Sequence, residues 1–192
     1  MVWHEGTCQS ATDLQCSAIL PGAFNPVHHG HWQLLDAAAS FLGCPVVFEL
    51  SIDNVDKPVL CASEVHRRLR QIPDNEVLLT YAALFTTKAR LFPGCWFVVG
   101  FDTAERVLDS QYYDQDVRQR DQSLRDLNSA NVKFLVAGRV NPKPQSAAFL
   151  TCDQLAVDHD YAEMFVELPE SCFRADISST AIRKQQATGL SP

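Results

Sequence analysis

Apolar residues along this chain fall into two kinds of run. Short, nearly unbroken ones occur at SAIL (17–20), PVVFELS (45–51), EVLLT (76–80), CWFVVG (95–100), VKFLVAG (132–138) and MFVEL (164–168). Each has the length of a strand. None alternates cleanly with polar residues, so both faces of each strand are expected to be covered. Between them, residues 29–42, 63–72, 81–91, 102–109 and 115–129 read as helices. Strands followed by helices imply right-handed crossovers and an α/β fold, an open, doubly wound parallel sheet of Rossmann-like type. A single domain is expected over 17–184. Residues 139–161 hold Pro142 and Pro144 with little periodicity and read as a long surface loop or flap. Residues 1–16 read as an N-terminal arm and 185–192, QQATGLSP, as a frayed tail.

Composition narrows the function class more than the fold. With 192 residues, 46% hydrophobic and 20% charged, the chain suits one globular core. A net charge of -7 disfavours nucleic acid as the main partner. No apolar run is long enough for a bilayer, so no membrane partner is expected. MVWHEGTCQSATDLQ has neither a basic start nor an apolar stretch, so no secretory signal is expected and the compartment is the cytoplasm, with the nucleus left open. The seven cysteines are odd in number and form no CxxC pair, which suggests small buried hydrophobes rather than disulfides or a zinc knuckle.

Chemistry concentrates in LPGAFNPVHHGH (20–31), between the first strand and the first helix, where open parallel sheets bind ligands. Gly22 and Ala23 leave room for a ligand near the backbone, amides at a helix start suit phosphate, and Pro26 fixes the turn. His28 and His31 are three apart, so within a helix they share a face, and Gly30 between them removes a side chain. A surface turn with incidental histidines is the bland alternative. A zinc site lacks a third ligand, since His29 points elsewhere and no cysteine pair is near. Far along the chain, FRADISSTAIRK (173–184) sets Ser178, Ser179 and Thr180 before Arg183. Locally this is either a capped surface helix or a phosphate grip.

The longer pattern is more specific. GAFNPVHHGH (22–31) resembles the G-x-F-[D/N]-P-x-H-x-G-H signature of the adenylyl- and cytidylyltransferase superfamily, matching every fixed position. RADISSTAIR is similar to the I-S-S-T-x-[I/V]-R motif of nicotinamide and nicotinate mononucleotide adenylyltransferases, and departs from the R-T-E-G-I-S-T string of cytidylyltransferases. Gly100-Phe101-Asp102 resembles the family's G-x-D element, and Arg139 its strand-terminal arginine.

This resemblance implies transfer of AMP from ATP to nicotinamide mononucleotide, giving NAD and pyrophosphate by in-line attack at the α-phosphorus. His28 and His31 would be catalytic donors. Gly22, Ala23, Phe24, Gly30, Ser178, Ser179, Thr180 and Arg183 would hold ATP. Asn25, Lys57, Gly100, Asp102, Arg139 and either Tyr112 or Tyr113 would hold the nucleotides and the acceptor. The tyrosines stand where such enzymes usually stack a tryptophan, while Trp32 and Trp96 are expected to pack. Mg²⁺ would be held mainly by ATP phosphates and water, with no carboxylate cage on the protein. Partners would be small molecules, with a homo-oligomer left open. Another acceptor (nicotinate mononucleotide, phosphopantetheine or a phosphorylated alcohol) stays an alternative, as does a catalytically silent nucleotide-binding module.

Overall fold

The structure is a computed structural model, describing residues 1–4, 7–9, 17–53, 58–73, 75–141, 149–175, 179, 182 and 183. Its six apolar runs become the strands β3 (Ala18–Pro21), β4 (Val46–Ser51), β5 (Val77–Thr80), β6 (Trp96–Gly100), β7 (Lys133–Ala137) and β10 (Phe165–Leu168). Between them lie α1 (His29–Leu42), α2 (Ala62–Leu69), α3 (Phe85–Leu91), α4 (Phe101–Leu108) and α5 (Val117–Ser129). The six strands are parallel and lie in the order β10-β7-β6-β3-β4-β5. Counted along the chain, that is the doubly wound order, which reverses direction between β3 and β6.

Alternation within each strand assigns the two cores. Val46, Phe48 and Leu50 of β4 join Leu20 and the α1 and α2 residues Leu34, Ala38, Val65 and Leu69. Ile19, Leu78, Phe97, Val99 and Phe134 point the other way, against Ala89 of α3, Ala104 and Val107 of α4, and Leu124 and Leu127 of α5. A two-residue period therefore divides runs that look uniformly apolar between two faces, as a covered parallel sheet requires.

Four expectations need correcting in detail. The sheet is not wholly parallel: β1 (Val2–His4), inside the stretch read as an arm, pairs antiparallel with β5 and with β2 (Thr7–Gln9). Residues 139–161 are not a featureless loop, because β8 (Arg139–Val140) pairs with β9 (Phe149–Leu150) and short 3-10 helices follow at Cys152–Gln154 and His159–Met164. The helix expected from residue 81 starts at Phe85, and the one expected from 115 starts at Val117, after a 3-10 turn at Ser110–Tyr113. Among the five cysteines with described side chains Cys95 is buried, Cys44 and Cys152 are half-buried, and Cys61 and Cys172 are exposed. Trp32 packs edge-on to Phe48, and Trp96 lies under the Lys133 ammonium. Among the described residues no helix is long and apolar enough to cross a membrane.

Candidate active site

The turn after β3 is built by its own side chains. The Gly22 amide donates to the Glu49 carbonyl at 2.9 Å, and Phe24 takes a left-handed φ of +46° that turns its ring inward. That ring is fully buried, edge-on to Phe48 and to His31. A side chain on Gly22 would meet Phe24 Cε1 at 2.5 Å. The space expected to admit a ligand beside Gly22 is thus filled on that side by the chain itself.

His28 is the N-cap of α1 rather than a residue within it. Its amide donates to His31 Nδ1 at 3.1 Å, the His31 amide donates back to the His28 carbonyl at 2.9 Å, and the two ring centroids lie 3.8 Å apart. The cap geometry, not helical spacing alone, brings the rings together. Because His31 Nδ1 accepts, its neutral ring carries the proton on Nε2, which makes that nitrogen a donor. His28 Nδ1 is buried without a hydrogen-bond partner among the described residues, while His29 is exposed. Burial, reinforced by the neighbouring imidazole of His29, lowers the pKa of His28. Burial, with a smaller push from His28, brings His31 down from 6.5 to about 4.

The His31 shift makes a stability prediction. A histidine whose pKa is depressed on folding binds fewer protons when folded, so its stabilisation is complete above the unfolded value of 6.5 and is lost as pH falls through about 4. A shift of this size corresponds to at most about 3.5 kcal/mol. Thermal melts should therefore lose stability between pH 6.5 and 4 more steeply in the wild type than in His31→Gln; parallel curves would contradict the assignment.

The histidines open on a cavity of about 740 Å³ at the carboxyl ends of β3, β6 and β7, beside the point where strand order reverses. Its lining also includes Gly30, Gly100, Asp102, Arg139 and Ser179, and adds Arg174 and Phe173, which sequence reasoning did not select. Asp102 in the first turn of α4 forms an ion pair with Arg139, the first residue of β8, so two residues picked out separately act as a pair. The Ser179 hydroxyl donates to the Pro26 carbonyl at 2.9 Å, and Arg183 donates to the Asn25 carbonyl. Ser179 and Arg183 of the second motif therefore lie against the first, each contact spanning more than 150 residues of chain. It also means that Arg183, expected to hold ATP, donates to the turn's backbone. Lys57, Ser178 and Thr180 lie outside the described residues.

Helix α2 braces the same turn. Arg67 donates to the Asn25 side chain at 2.6 Å, and the buried Arg68 donates to the Ala23 carbonyl at 2.9 Å. Hydrogen bonds from Arg67 and then Arg68 pull the Glu64 carboxyl down to about 2. Asn25 is consequently engaged by protein on both its carbonyl and its side chain, and it does not line either cavity.

A second cavity, of about 240 Å³, adjoins the first, since Pro21 and Thr103 line both. Gly22, Ala23, Tyr112 and Tyr113 line it, as does Arg106, whose guanidinium lies 5.5 Å from the Tyr112 ring centre. The Tyr113 hydroxyl donates to the Val107 carbonyl at 3.0 Å, and burial raises its pKa. The same wall holds Glu49 and Lys88, both almost fully buried and joined at 2.6 Å, with the Thr80 hydroxyl on the same Glu49 oxygen. Sequence reasoning missed this cluster. The available signal was a glutamate inside the otherwise apolar run PVVFELS.

Among the described residues, no three His, Cys, Asp or Glu side chains converge as a metal cage. A family model described as Cytidylyltransferase-like matches residues 19–185. A protein of Schizosaccharomyces pombe (strain 972 / ATCC 24843) named "Putative nicotinamide mononucleotide adenylyltransferase" is 31% identical over 116 residues, covering 53% of this chain and 46% of that protein. The match thus spans less than half the length of that curated relative.

Proposed function

We infer the function from one premise: this chain belongs to the cytidylyltransferase-like family. We propose that it transfers AMP from ATP to nicotinamide mononucleotide, forming NAD and releasing pyrophosphate. The observation that carries the proposal is the His28–His31 pair, opening on a cavity at the strand-order reversal and adjoined by a second chamber. Two adjoining chambers suit a reaction that joins two nucleotides. The acceptor's name is supported by the S. pombe relative and by the ISSTAIR string.

In the proposed reaction an acceptor phosphate oxygen attacks the α-phosphorus of ATP in line. The new P–O bond forms as the bond to the β-phosphate bridging oxygen breaks, and negative charge moves onto the departing pyrophosphate. A phosphate monoester is already a nucleophile near neutral pH, so the protein's task is to position both substrates and stabilise charge. His31 donates from Nε2 toward the oxygens that gain charge. His28 stands beside it with its ring 3.8 Å away. Arg139, oriented by Asp102, and Arg174 supply positive charge to the larger cavity. Mg²⁺ arrives with ATP as part of the substrate and neutralises triphosphate charge; Asp102, paired with Arg139, is not needed to hold it.

The test is incubation of the full chain with ATP and Mg²⁺ against nicotinamide mononucleotide, nicotinate mononucleotide, phosphopantetheine and phosphorylated alcohols. Pyrophosphate is followed and products are identified by mass. NAD formation is the expected result. Turnover only with another acceptor overturns the acceptor assignment and keeps the chemistry. ATP binding without pyrophosphate release from any acceptor overturns both, leaving a nucleotide-binding module.

A further inference from the structure

We propose that Glu49 and Ser51 form a carboxamide-reading pair in the wall of the smaller cavity, so that the acceptor lodged there carries a neutral primary amide rather than a carboxylate. This rests on the reading of the chain as a nucleotidyltransferase with its acceptor in that cavity. Glu49 and Ser51 are two apart on β4, so their side chains leave the sheet on one face, toward α3. Both line the cavity. Lys88 and Thr80 donate to the same glutamate oxygen, Oε1. The other oxygen, Oε2, is buried with no partner among the described residues, and so is the Ser51 hydroxyl.

Buried polar atoms without partners are uncommon, and two on one wall of a cavity mark a place where a ligand can supply the missing bonds. Their chemistry is complementary. A carboxylate oxygen can only accept, while a hydroxyl can donate. A primary amide offers an N–H to the first and a carbonyl to the second. A ligand carboxylate would instead set one anionic oxygen against Glu49 Oε2. The cavity volume of about 240 Å³ suits a ring and its amide rather than a whole nucleotide, and Tyr112 and Tyr113 supply flat surfaces for the ring. The remaining ribose phosphate would leave past Pro21 and Thr103, which the two cavities share, and so emerge on the histidine side.

The experiment compares nicotinamide mononucleotide with nicotinate mononucleotide on the full chain. Equilibrium binding is measured by calorimetry without ATP, and kcat/KM with ATP and Mg²⁺. The wild type is expected to favour the amide by roughly tenfold or more in both, the scale of one charge-assisted hydrogen bond. In Glu49→Gln, whose amide can donate to a carboxylate, that preference should fall by about tenfold or more. Ser51→Ala should weaken amide binding by about tenfold, and acid binding as well, because a carboxylate oxygen accepts from the hydroxyl as a carbonyl does. Because Glu49→Gln removes the partner of Lys88, its melting curve is checked first, and Ser51→Ala carries the test if that variant does not fold. Equal binding of the two acceptors by the wild type overturns the proposal, as does unchanged preference in folded Glu49→Gln or unchanged amide binding in Ser51→Ala. Preferential amide binding without pyrophosphate release would sink adenylyl transfer while leaving this subsite standing. Equal turnover of both acceptors would do the reverse.

Discussion

Replacing His31 by alanine is expected to lower kcat for pyrophosphate release by about 10²–10³-fold, with a smaller change in KM. That is the scale of losing one donor aimed at charge that develops in the transition state. The expectation follows from the proton's location. His31 Nδ1 is occupied by the His28 amide, and the depressed pKa leaves the ring neutral at pH 7, so Nε2–H is what it can offer. The substitution also removes a bond at the start of α1, a loss of about 1 kcal/mol in stability. A thermal melt separates the two effects: a folded variant with wild-type kcat would remove His31 from the chemistry.

Lys88→Met on α3 should be strongly destabilising, by about 3–5 kcal/mol, because it leaves the Glu49 carboxylate buried without its charged partner. Lys88 and Glu49 side chains are only 5% and 1% exposed. Combining Lys88→Met with Glu49→Leu removes both charges and should restore most of the stability, since a buried pair's attraction is largely offset by the cost of desolvating it. Denaturant melts of the wild type, the single variant and the double variant measure this directly. A single variant within 1 kcal/mol of wild type would mean the pair is not buried as described. By contrast, the exposed Arg90–Asp126 pair, 3.9 Å apart, should contribute almost nothing.

Each parallel strand was legible as a short, nearly unbroken apolar run, and each helix by the longer period of its apolar residues. The helix at 29–42 and the strand at 45–51 show this to within a residue. Val2–His4 was not legible. Three residues carry too little periodicity to read, and β1 becomes a strand through the hydrogen bonds that the edge of β5 offers it. The long interval 139–161 misled for a similar reason, since its two-residue strands exist only as a pair. Of the candidate site, the turn and its histidines could be read as a string. The Glu49–Lys88–Thr80 cluster could not, because its members come from three elements and meet only when β4, β5 and α3 are packed.

By itself, then, the sequence determined the six parallel strands and the helices between them, that both faces of those strands are covered, and where along the chain the histidine turn falls. All of these follow from local pattern and local chemistry. Tertiary structure alone decided the strand order that puts β3 beside β6, the closure of Ser179 and Arg183 onto the turn at Asn25 and Pro26, and the pairing of Asp102 with Arg139. It also decided which face of β4 carries Glu49. These features depend on long-range contacts, in which a residue's role is set by what arrives next to it rather than by its neighbours in the chain.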